Sequence, residues 1–279
     1  MSLSHMILDF DGTLADAEIE GRSFKEHFLE ESARKLAMPL QSLKILYGRA
    51  EHKVKQDHTR AWVYQGVAVC TASDPYILPQ VVMEDVLNYL ASGKTRIPHD
   101  TDALQDLNKL LYDLFVYAYA NKETAFREGA EATKGFLDAL LPKHPAVIVS
   151  NSSTARITER LALLGDYTRM PLVGGASKFS IDHSFSETPE DVLLPGFGRP
   201  VLLRRKSYYD VLHGLQKTGF KPRNTLVLGG NYELDLALPE LLGYRVMLMQ
   251  TSFTPEHEMR YMQRKDALVT DYEGVLKRL

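Results

Sequence analysis

The spacing of the apolar residues changes twice along this chain and divides it into three parts. Residues 5–8 are mostly apolar and precede several polar positions, a pattern that predicts a short strand. Between residues 17 and 122 the apolar residues recur at helical spacing, and turn formers interrupt them at intervals typical of separate helices. After Gly129, short apolar runs alternate with helical segments. The sequence therefore predicts one strand, a long helical region and an alternating α/β region.

Particular residues carry this prediction. Three groups of apolar residues predict helices in the middle part: Phe24, Phe28 and Leu29; Val81, Val82, Val86, Leu87 and Leu90; and Leu104, Leu107, Leu110, Leu111, Leu114 and Phe115. In the last part, residues 146–150, 225–229 and 245–249 predict strands, and residues 267–270 are a candidate for an edge strand. Unbroken apolar strands that alternate with helices are typical of a parallel sheet covered on both faces.

We therefore predict an α/β fold with a Rossmann-like parallel sheet, formed by residues 1–17 and 125–279. An all-helical domain is expected as an insertion at residues 18–124. One segment of the α/β part, residues 176–200, has few periodic apolar positions and several turn formers. A stretch of this kind inside a compact domain is usually a functional or mobile loop.

The composition limits the classes of function. The chain has 279 residues, a formal net charge of −3, 44% hydrophobic residues and 25% charged residues, which is typical of a globular protein with one large or two modest domains. The near-balanced charge gives no electrostatic reason to expect a nucleic-acid or membrane partner. No apolar run approaches the roughly 20 residues of a membrane span. Cys70 is the single cysteine, which excludes an intrachain disulfide and fits a reducing, cytoplasmic setting.

The two carboxylates after the first predicted strand are the strongest chemical signal. Asp9 and Asp11 are separated by one residue, and residues i and i+2 of an extended chain point the same way. Gly12 then allows the backbone to turn without a steric penalty. Two adjacent carboxylates repel each other unless a cation or a shared proton resolves the conflict. The pattern indicates a metal site or an acid–nucleophile pair, with a solvated Asp-rich turn as the alternative.

The sequence of this turn, DFDGT at residues 9–13, resembles the first motif of the haloacid dehalogenase (HAD) superfamily of aspartate-nucleophile phosphohydrolases. The resemblance covers the predicted α/β part, and the helical insertion is similar in position to the type-one cap of that family. It implies a HAD-like core in which Asp9 is the nucleophile and Asp11 is the general acid and base. Gly12 and Thr13 are then expected to bind the substrate.

Motifs two and three of the family have candidate counterparts further along the chain. A predicted strand ends in Ser150-Asn151, which resembles motif two, where a hydroxyl and an amide bind a phosphoryl oxygen. The alternative is that Ser150 or Ser152 caps the next helix. Motif three is a Lys or Arg ahead of a helix, and Lys206 matches it best, as a cation that offsets phosphoryl charge. Arg205 is the second choice and a candidate for substrate binding.

The fourth motif departs from the family pattern, which is a strand, Gly-Asp, and a second acid four or five residues later. Asp235 matches the second acid. Counting back four residues places Asn231 at the first acid, a metal ligand, and counting five places Gly230 there. We favour Asn231, because it has the shape of aspartate and keeps a carbonyl oxygen. The resemblance then implies a Mg²⁺ ion with five candidate ligands: Asp9, Asp11, Asn231, Asp235 and Glu233. Favourable charge at the start of a helix is the alternative for the last two.

The resemblance implies a Mg²⁺-dependent phosphohydrolase that forms an aspartyl-phosphate on a small phosphorylated metabolite. A halide leaves without a proton, and the family's dehalogenases lack an acid at the position of Asp11, so Asp11 favours phosphate esters. The missing acid of motif four gives a second hypothesis, a catalytically impaired HAD-like protein that binds a phosphorylated ligand or a protein partner. A phosphomutase, which uses the same residues, is a third. The expected partner is a small-molecule phosphate ester, without nucleic acid or membrane, and the chain is expected to be a monomer or a homodimer.

Overall fold

The computed structural model describes residues 3–57, 59–167 and 169–279. The chain forms two compact units. The α/β unit contains the residues up to Ala17, Val63–Cys70 and Ala125–Leu279, and the helical unit contains Glu18–Trp62 and Thr71–Thr124. The helical unit lies within residues 18–124, and Val63–Cys70 from this range belongs to the α/β unit.

The strands of the described chain are β1 (His5–Leu8), β2 (Ala61–Tyr64), β3 (Val67–Thr71), β4 (Ala146–Val149), β5 (Leu172–Val173), β6 (Asp191–Val192), β7 (Val201–Leu202), β8 (Thr225–Gly229), β9 (Arg245–Met249) and β10 (Leu268–Val269). The α-helices are α1 (Ala17–Lys35), α2 (Leu40–Gln56), α3 (Ile77–Ala91), α4 (Leu107–Asn121), α5 (Ala130–Leu140), α6 (Thr154–Ala162), α7 (Lys206–Gln216), α8 (Ala237–Leu241), α9 (Glu256–Arg264) and α10 (Tyr272–Leu276). Short 3₁₀ helices occur at Asp102–Leu104 and Pro222–Asn224, and Tyr232–Leu236 forms a π-helical turn.

A six-stranded parallel sheet organises the α/β unit, with the strand order β10-β9-β8-β1-β4-β5. The predicted α/β fold with a parallel sheet is confirmed, and five of its six strands lie at the predicted apolar runs, whereas the short edge strand β5 was not predicted. The strand β1 lies between β4 and β8, and the chain adds strands on one side of β1 before it adds strands on the other. Parallel sheets bind ligands at the carboxyl ends of the strands beside such a reversal.

Burial explains why β1 is apolar without interruption. Met6 and Leu8 pack into the core on one face of the sheet, and Ile7 packs into the core on the other face. Each strand residue points to the face opposite its neighbour, so a strand covered on both sides has no position for a polar side chain. Leu8 lies in register with Ile148 of β4 and Leu228 of β8. The residues that follow these three strands therefore meet at one edge of the sheet.

The helical unit contains α1, α2, α3 and α4, and the three predicted groups of apolar residues lie on α1, α3 and α4, with Leu104 in the preceding 3₁₀ turn. Phe24, Phe28, Val82 and Leu114 are completely buried. These residues form the core that amphipathic helices need in order to be stable. None of the described helices has the length and apolar character that crossing a bilayer requires.

Residues 18–124 are mainly helical as predicted, with one exception that was not predicted: β2 and β3 pair as a two-stranded sheet within them. The turn consists of Gln65 and Gly66, which both have positive φ, +50° and +82°. Positive φ at both central residues matches the right-handed twist of a two-residue hairpin. Aromatic and β-branched residues flank this turn, and such residues favour strands. The turn and its flanking residues are therefore a sequence signal for a hairpin.

Candidate active site

The carboxyl end of β1 positions the two predicted carboxylates. The backbone N–H of Asp9 donates to the carbonyl oxygen of Leu228 at 2.8 Å, which continues the pairing of β1 with β8 by one residue. Asp9 is only 7% exposed. Gly12 has φ of +79°, so the turn after Asp11 requires glycine or a strained residue. Asp9 and Asp11 are therefore held by the central strand and by the turn that ends it.

Lys178, which the sequence analysis did not single out, is the cation of the site. Its Nζ donates to Asp9 Oδ1 and to Asp235 Oδ1, both at 2.8 Å, and the residue is 1% exposed. Its backbone N–H donates to Asn151 Oδ1 at 2.8 Å, which fixes the base of the side chain. Lys178 belongs to the segment predicted to be a functional or mobile loop, and that prediction was the only sequence signal that pointed to it.

Burial and charge determine the protonation of this cluster. Desolvation raises the pKa of Asp9 well above its usual value, repulsion from Asp235 adds to this effect, and Lys178 opposes it. Burial alone would lower the pKa of Lys178, but attraction to Asp235 and Asp9 raises it above its usual value. The ammonium therefore stays charged between two carboxylates. A bound cation would oppose the rise in the pKa of Asp9 and favour its ionised form.

The side chain of Asp11 is oriented by hydroxyl groups. Its Oδ2 accepts from Ser152 Oγ at 2.6 Å and from Ser150 Oγ at 3.3 Å. Its Oδ1 is buried and has no hydrogen-bond partner among the described residues. Ser150 follows β4 as predicted and is completely buried. The cap of α6 is Ser153, whose Oγ accepts from the backbone of Arg156, so neither Ser150 nor Ser152 serves that purpose. Ser152 is a site residue that was proposed only as a cap.

The prediction that Lys206 is the cation of motif three is wrong. Lys206 is the first residue of α7, its side chain is 49% exposed, and its ammonium pairs with Asp210 one helical turn later. Lys206 lies at the start of a helix, as the family pattern requires. Its charge is nevertheless neutralised within the helix, by an ion pair with the residue at i+4 on the helix surface. Lys178 occupies the position between the carboxylates instead.

Arg205 was predicted to bind substrate, and the structure contradicts this. The residue is completely buried, and its guanidinium donates to three backbone carbonyls: Lys178 at 2.7 Å, Val69 at 2.8 Å and Leu202 at 3.1 Å. Burial lowers its pKa. Five N–H donors in a fixed fork suit this task. Arg205 therefore joins the loop of Lys178 to β3 and β7 of the same unit.

Three further residues predicted to bind substrate lie near this cluster along the chain. Gly12 forms the turn after Asp11, and its carbonyl accepts from Arg127 at 3.3 Å. Thr13 is completely buried, and its Oγ1 has no partner among the described residues. Asn151 uses its amide oxygen to hold the backbone of Lys178. Contact of these residues with substrate stays a prediction.

The motif-four segment differs from the predicted arrangement. Asn231 Oδ1 accepts from the backbone of Leu234 at 3.0 Å, so its side chain caps the π-helical turn, and the prediction that it is a metal ligand is wrong. Glu233 is also misassigned as a ligand, because both its oxygens accept from Arg199 at 2.7 Å. Asp235 does lie at the cluster. Its Oδ1 accepts from Lys178, and its Oδ2 accepts from the backbone of Asn231 at 3.0 Å.

Gly230 occupies the position next to the predicted metal site. A Cβ built on Gly230 would lie 3.4 Å from the main-chain oxygen of Asp11. The geometry therefore supports the alternative alignment, in which position 230, five residues before Asp235, corresponds to the first acid of motif four. The π-helical turn contains one more residue per turn than an α-helix, which explains how Asp235 reaches the cluster over the longer spacing.

The remaining oxygens fit a magnesium ion with few protein ligands. Asp9 Oδ1 accepts one hydrogen bond from Lys178 and keeps a second lone pair, and Asp11 offers its main-chain carbonyl. Mg²⁺ is commonly held by one or two carboxylates together with water and substrate phosphate. Asp9 and Asp11 would hold the ion here, and their contribution to Mg²⁺ binding stays a prediction.

A second buried cluster lies beside the motif-four segment. Glu233, His257 and Glu258 place one ligand-type atom each within 4.8 Å of the others, and all three residues are buried. Arg199 already neutralises Glu233. Burial, followed by repulsion from Glu233, raises the pKa of Glu258 to about 8. A neutral Glu258 beside an Arg–Glu pair balances its charge without an ion, so we assign no metal to this cluster.

Glu258→Gln is expected to stabilise the protein more at pH 8 than at pH 5, by about 3 kcal/mol. The unfolded carboxyl loses its proton above about pH 4.3, whereas the folded one keeps its proton to about pH 8. Wild-type stability therefore falls as the pH rises through this window, and glutamine, which is always neutral, escapes the loss. Urea unfolding at both pH values measures the difference. Glu256→Gln, on the exposed face of the same helix, is the control, and an equal effect of Glu258→Gln at both pH values would contradict the prediction.

No family model matches the sequence, and no curated protein matches it either. Solved structures are similar in fold. A protein from Haemophilus somnus 129PT, described as a predicted phosphoglycolate phosphatase, has a TM-score of 0.55 at 16% identity, over 99% of this chain and 98% of the other. A haloacid dehalogenase-like hydrolase from Streptococcus pneumoniae has a TM-score of 0.51 at 13% identity, over 99% and 98%. A Bacillus subtilis protein, described as a HAD hydrolase bound to magnesium, has a TM-score of 0.51 at 12% identity, over 100% and 99%.

The chain therefore has the fold of the HAD-like hydrolases, with a parallel α/β sheet and a helical insertion after the first strand. These similarities extend over nearly the full length of each chain. At such low identity they establish the fold, and the chemistry has to be argued from the residues of the site.

Proposed function

We propose that this protein is a phosphatase-type hydrolase that uses Asp9 as its nucleophile on a small phosphorylated metabolite. The observation that carries the proposal is the buried Asp9–Lys178–Asp235 cluster, which lies at the carboxyl end of the central strand beside Asp11. A carboxylate with one oxygen fixed by an ammonium has its other oxygen available for attack. The fold similarity to HAD-like hydrolases supports the same chemistry.

In the first step, Asp9 Oδ2 attacks phosphorus, and the bond between phosphorus and the ester oxygen breaks. Asp11 gives a proton to the departing oxygen, so that an alcohol leaves and an aspartyl-phosphate remains. The unpartnered Oδ1 of Asp11 is suited to this transfer, because a buried carboxyl oxygen without a partner gains a hydrogen bond when the ester oxygen arrives.

In the second step, Asp11 takes a proton from a water molecule as this water attacks phosphorus. The bond to Asp9 breaks, and inorganic phosphate leaves. Lys178 offsets the charge shared by Asp9 and the phosphoryl group. The Ser150 hydroxyl accepts from the backbone N–H of Ser152 at 3.1 Å and donates only a long hydrogen bond of 3.3 Å to Asp11, so it can turn to donate to a phosphoryl oxygen. A bound Mg²⁺ ion would add positive charge beside the phosphoryl oxygens.

The second candidate function is a catalytically impaired protein that binds a phosphorylated ligand. The glycine at position 230, where the family pattern has an acid, favours it. The nucleophile, its cation and the acid–base residue are nevertheless all present, which supports catalysis. A phosphomutase would use the same groups with a different acceptor.

Hydrolysis assays test the proposal. The wild-type protein should release inorganic phosphate from an aryl phosphate and from one or more members of a panel of phosphorylated metabolites, including sugar phosphates and phosphoglycolate. Adding Mg²⁺ should increase the rate, and a chelator should lower it. Binding of panel members without any phosphate release would favour the impaired protein, and transfer of phosphate to a second metabolite would favour a mutase.

A further inference from the structure

Gly230 leaves the site without a side chain at the position where the family pattern has an acid. A side chain at this position would start 3.4 Å from the main-chain oxygen of Asp11 and 3.5 Å from the backbone of Gly12. Both distances are ordinary van der Waals contacts, and Gly230 does not have the left-handed φ that would require glycine. The backbone therefore accepts a side chain here, but the sequence provides none.

The neighbouring polar groups do not replace the missing carboxylate. Both oxygens of Asp235 and both oxygens of Glu233 already accept hydrogen bonds. The amide oxygen of Asn231 caps the π-helical turn. Asp9, whose Oδ1 keeps a second lone pair beside its bond to Lys178, and the carbonyl of Asp11 remain. Asp11 Oδ1 and Thr13 Oγ1 are the other oxygens of this turn shown without a partner among the described residues. Mg²⁺ requires near-octahedral coordination by six oxygens, so most of them have to come from water or from the substrate.

The charge of the site leads to the same conclusion. Lys178 neutralises part of the charge of Asp9, which is the carboxylate that would bind the ion. A phosphoryl group brings oxygens that carry negative charge, and they can supply both the missing ligand and the missing charge. Binding of the ion and of the phosphoryl group must then strengthen each other by the same factor, because coupling between two ligands is reciprocal.

We propose that the phosphoryl group of the substrate completes the Mg²⁺ site of this chain, because Gly230 replaces the carboxylate that would otherwise hold the ion in the free protein. This inference rests on the proposed phosphatase function. It adds that the free protein binds Mg²⁺ weakly and that the ion and the phosphoryl group bind cooperatively.

Isothermal titration calorimetry of the full chain tests the inference, with inorganic phosphate as the probe. Saturating phosphate should raise the affinity of the wild-type protein for Mg²⁺ by about tenfold or more, and Mg²⁺ should raise the affinity for phosphate by the same factor. Equal affinity for Mg²⁺ with and without phosphate would overturn the proposal. This measurement needs no substitution, so it does not depend on the folding of a variant.

Variants at two adjacent positions identify the residue responsible. Gly230→Asp should bind Mg²⁺ at least about tenfold more tightly than the wild type without phosphate, and phosphate should add less to that affinity. Gly230→Ala, which adds a Cβ without a carboxylate, should behave like the wild type. Asn231→Asp, which keeps a capping oxygen, should have a smaller effect than Gly230→Asp. An equal or larger effect of Asn231→Asp would overturn the assignment to Gly230.

The binding measurements can contradict this inference without contradicting the proposed function, and the hydrolysis assays can contradict the function without contradicting the inference. Coupled binding of Mg²⁺ and phosphate without hydrolysis of any phosphate ester would support the inference and contradict the phosphatase. Hydrolysis with uncoupled binding would contradict the inference and leave the phosphatase in place. Thermal unfolding of each variant establishes that its affinity is measured on folded protein.

Discussion

Replacing Asp9 with asparagine is expected to lower kcat/KM for phosphate esters by at least roughly a thousandfold, because it removes the proposed nucleophile. An amide oxygen is a poor nucleophile toward phosphorus. The amide can still accept a hydrogen bond from Lys178, and it removes a carboxylate whose pKa is raised by burial and by Asp235. The variant should therefore fold at least as stably as the wild type, so that loss of turnover reports chemistry.

Two measurements make the Asp9 prediction specific. Steady-state hydrolysis of an aryl phosphate gives the change in rate, and mass spectrometry after acid quenching should detect a phosphorylated Asp9 peptide in the wild type alone. Asp210→Asn is the matched control, because Asp210 pairs with Lys206 on the surface, and it should leave the rate unchanged. An Asp9→Asn protein that retains most of the wild-type activity would exclude the proposed mechanism.

Lys178→Met is expected to lower kcat/KM by about 10²–10³-fold and to destabilise the protein by about 3 kcal/mol. The loss of rate follows from the loss of the charge that faces Asp9 and the phosphoryl group. The loss of stability follows because two buried carboxylates, Asp9 and Asp235, would face each other without a cation. Methionine keeps the approximate length of the side chain, so packing changes little.

Lys206→Met is the control for this pair. Its side chain is half exposed and forms a surface ion pair, which is worth about 1 kcal/mol or less. Urea unfolding and steady-state kinetics of both variants separate the two assignments of motif three. If Lys206→Met lost activity while Lys178→Met kept it, the assignment made from the structure would be wrong.

The sequence was sufficient to predict the features that depend only on residues close together in the chain. Strand β1 and the spacing of Asp9 and Asp11 are local, because side chains in an extended chain alternate between faces. The apolar runs of β4, β8 and β9 predicted a parallel sheet, since strands buried on both faces have no polar positions. Ser150 followed from the end of such a run. Contact between the carboxyl ends of these strands was predictable from the fold class alone.

The prediction from sequence was wrong where the local residues fitted two structures or environments equally well. The hairpin formed by β2 and β3 contains apolar residues that also fit helical spacing over a short window, and the Gln65-Gly66 turn was the deciding signal. Lys206 and Arg205 precede a helix as the family pattern requires, but one pairs with its own helix and the other is buried among backbone carbonyls. Nothing in their local sequence distinguishes these environments.

By itself, the sequence determined the α/β class, the central strand and the pair Asp9 and Asp11, because hydrophobic periodicity and side-chain alternation act over a few residues. The tertiary structure alone decided which cation faces Asp9. Lys178 lies on a long loop without periodic pattern, and it reaches the site through hydrogen bonds to residues distant in the sequence. The structure also decided that Gly230 lies beside Asp11, because a π-helical turn changes the residue count that the sequence left open. Contacts of this kind depend on the packing of the whole unit, which no short stretch of sequence contains.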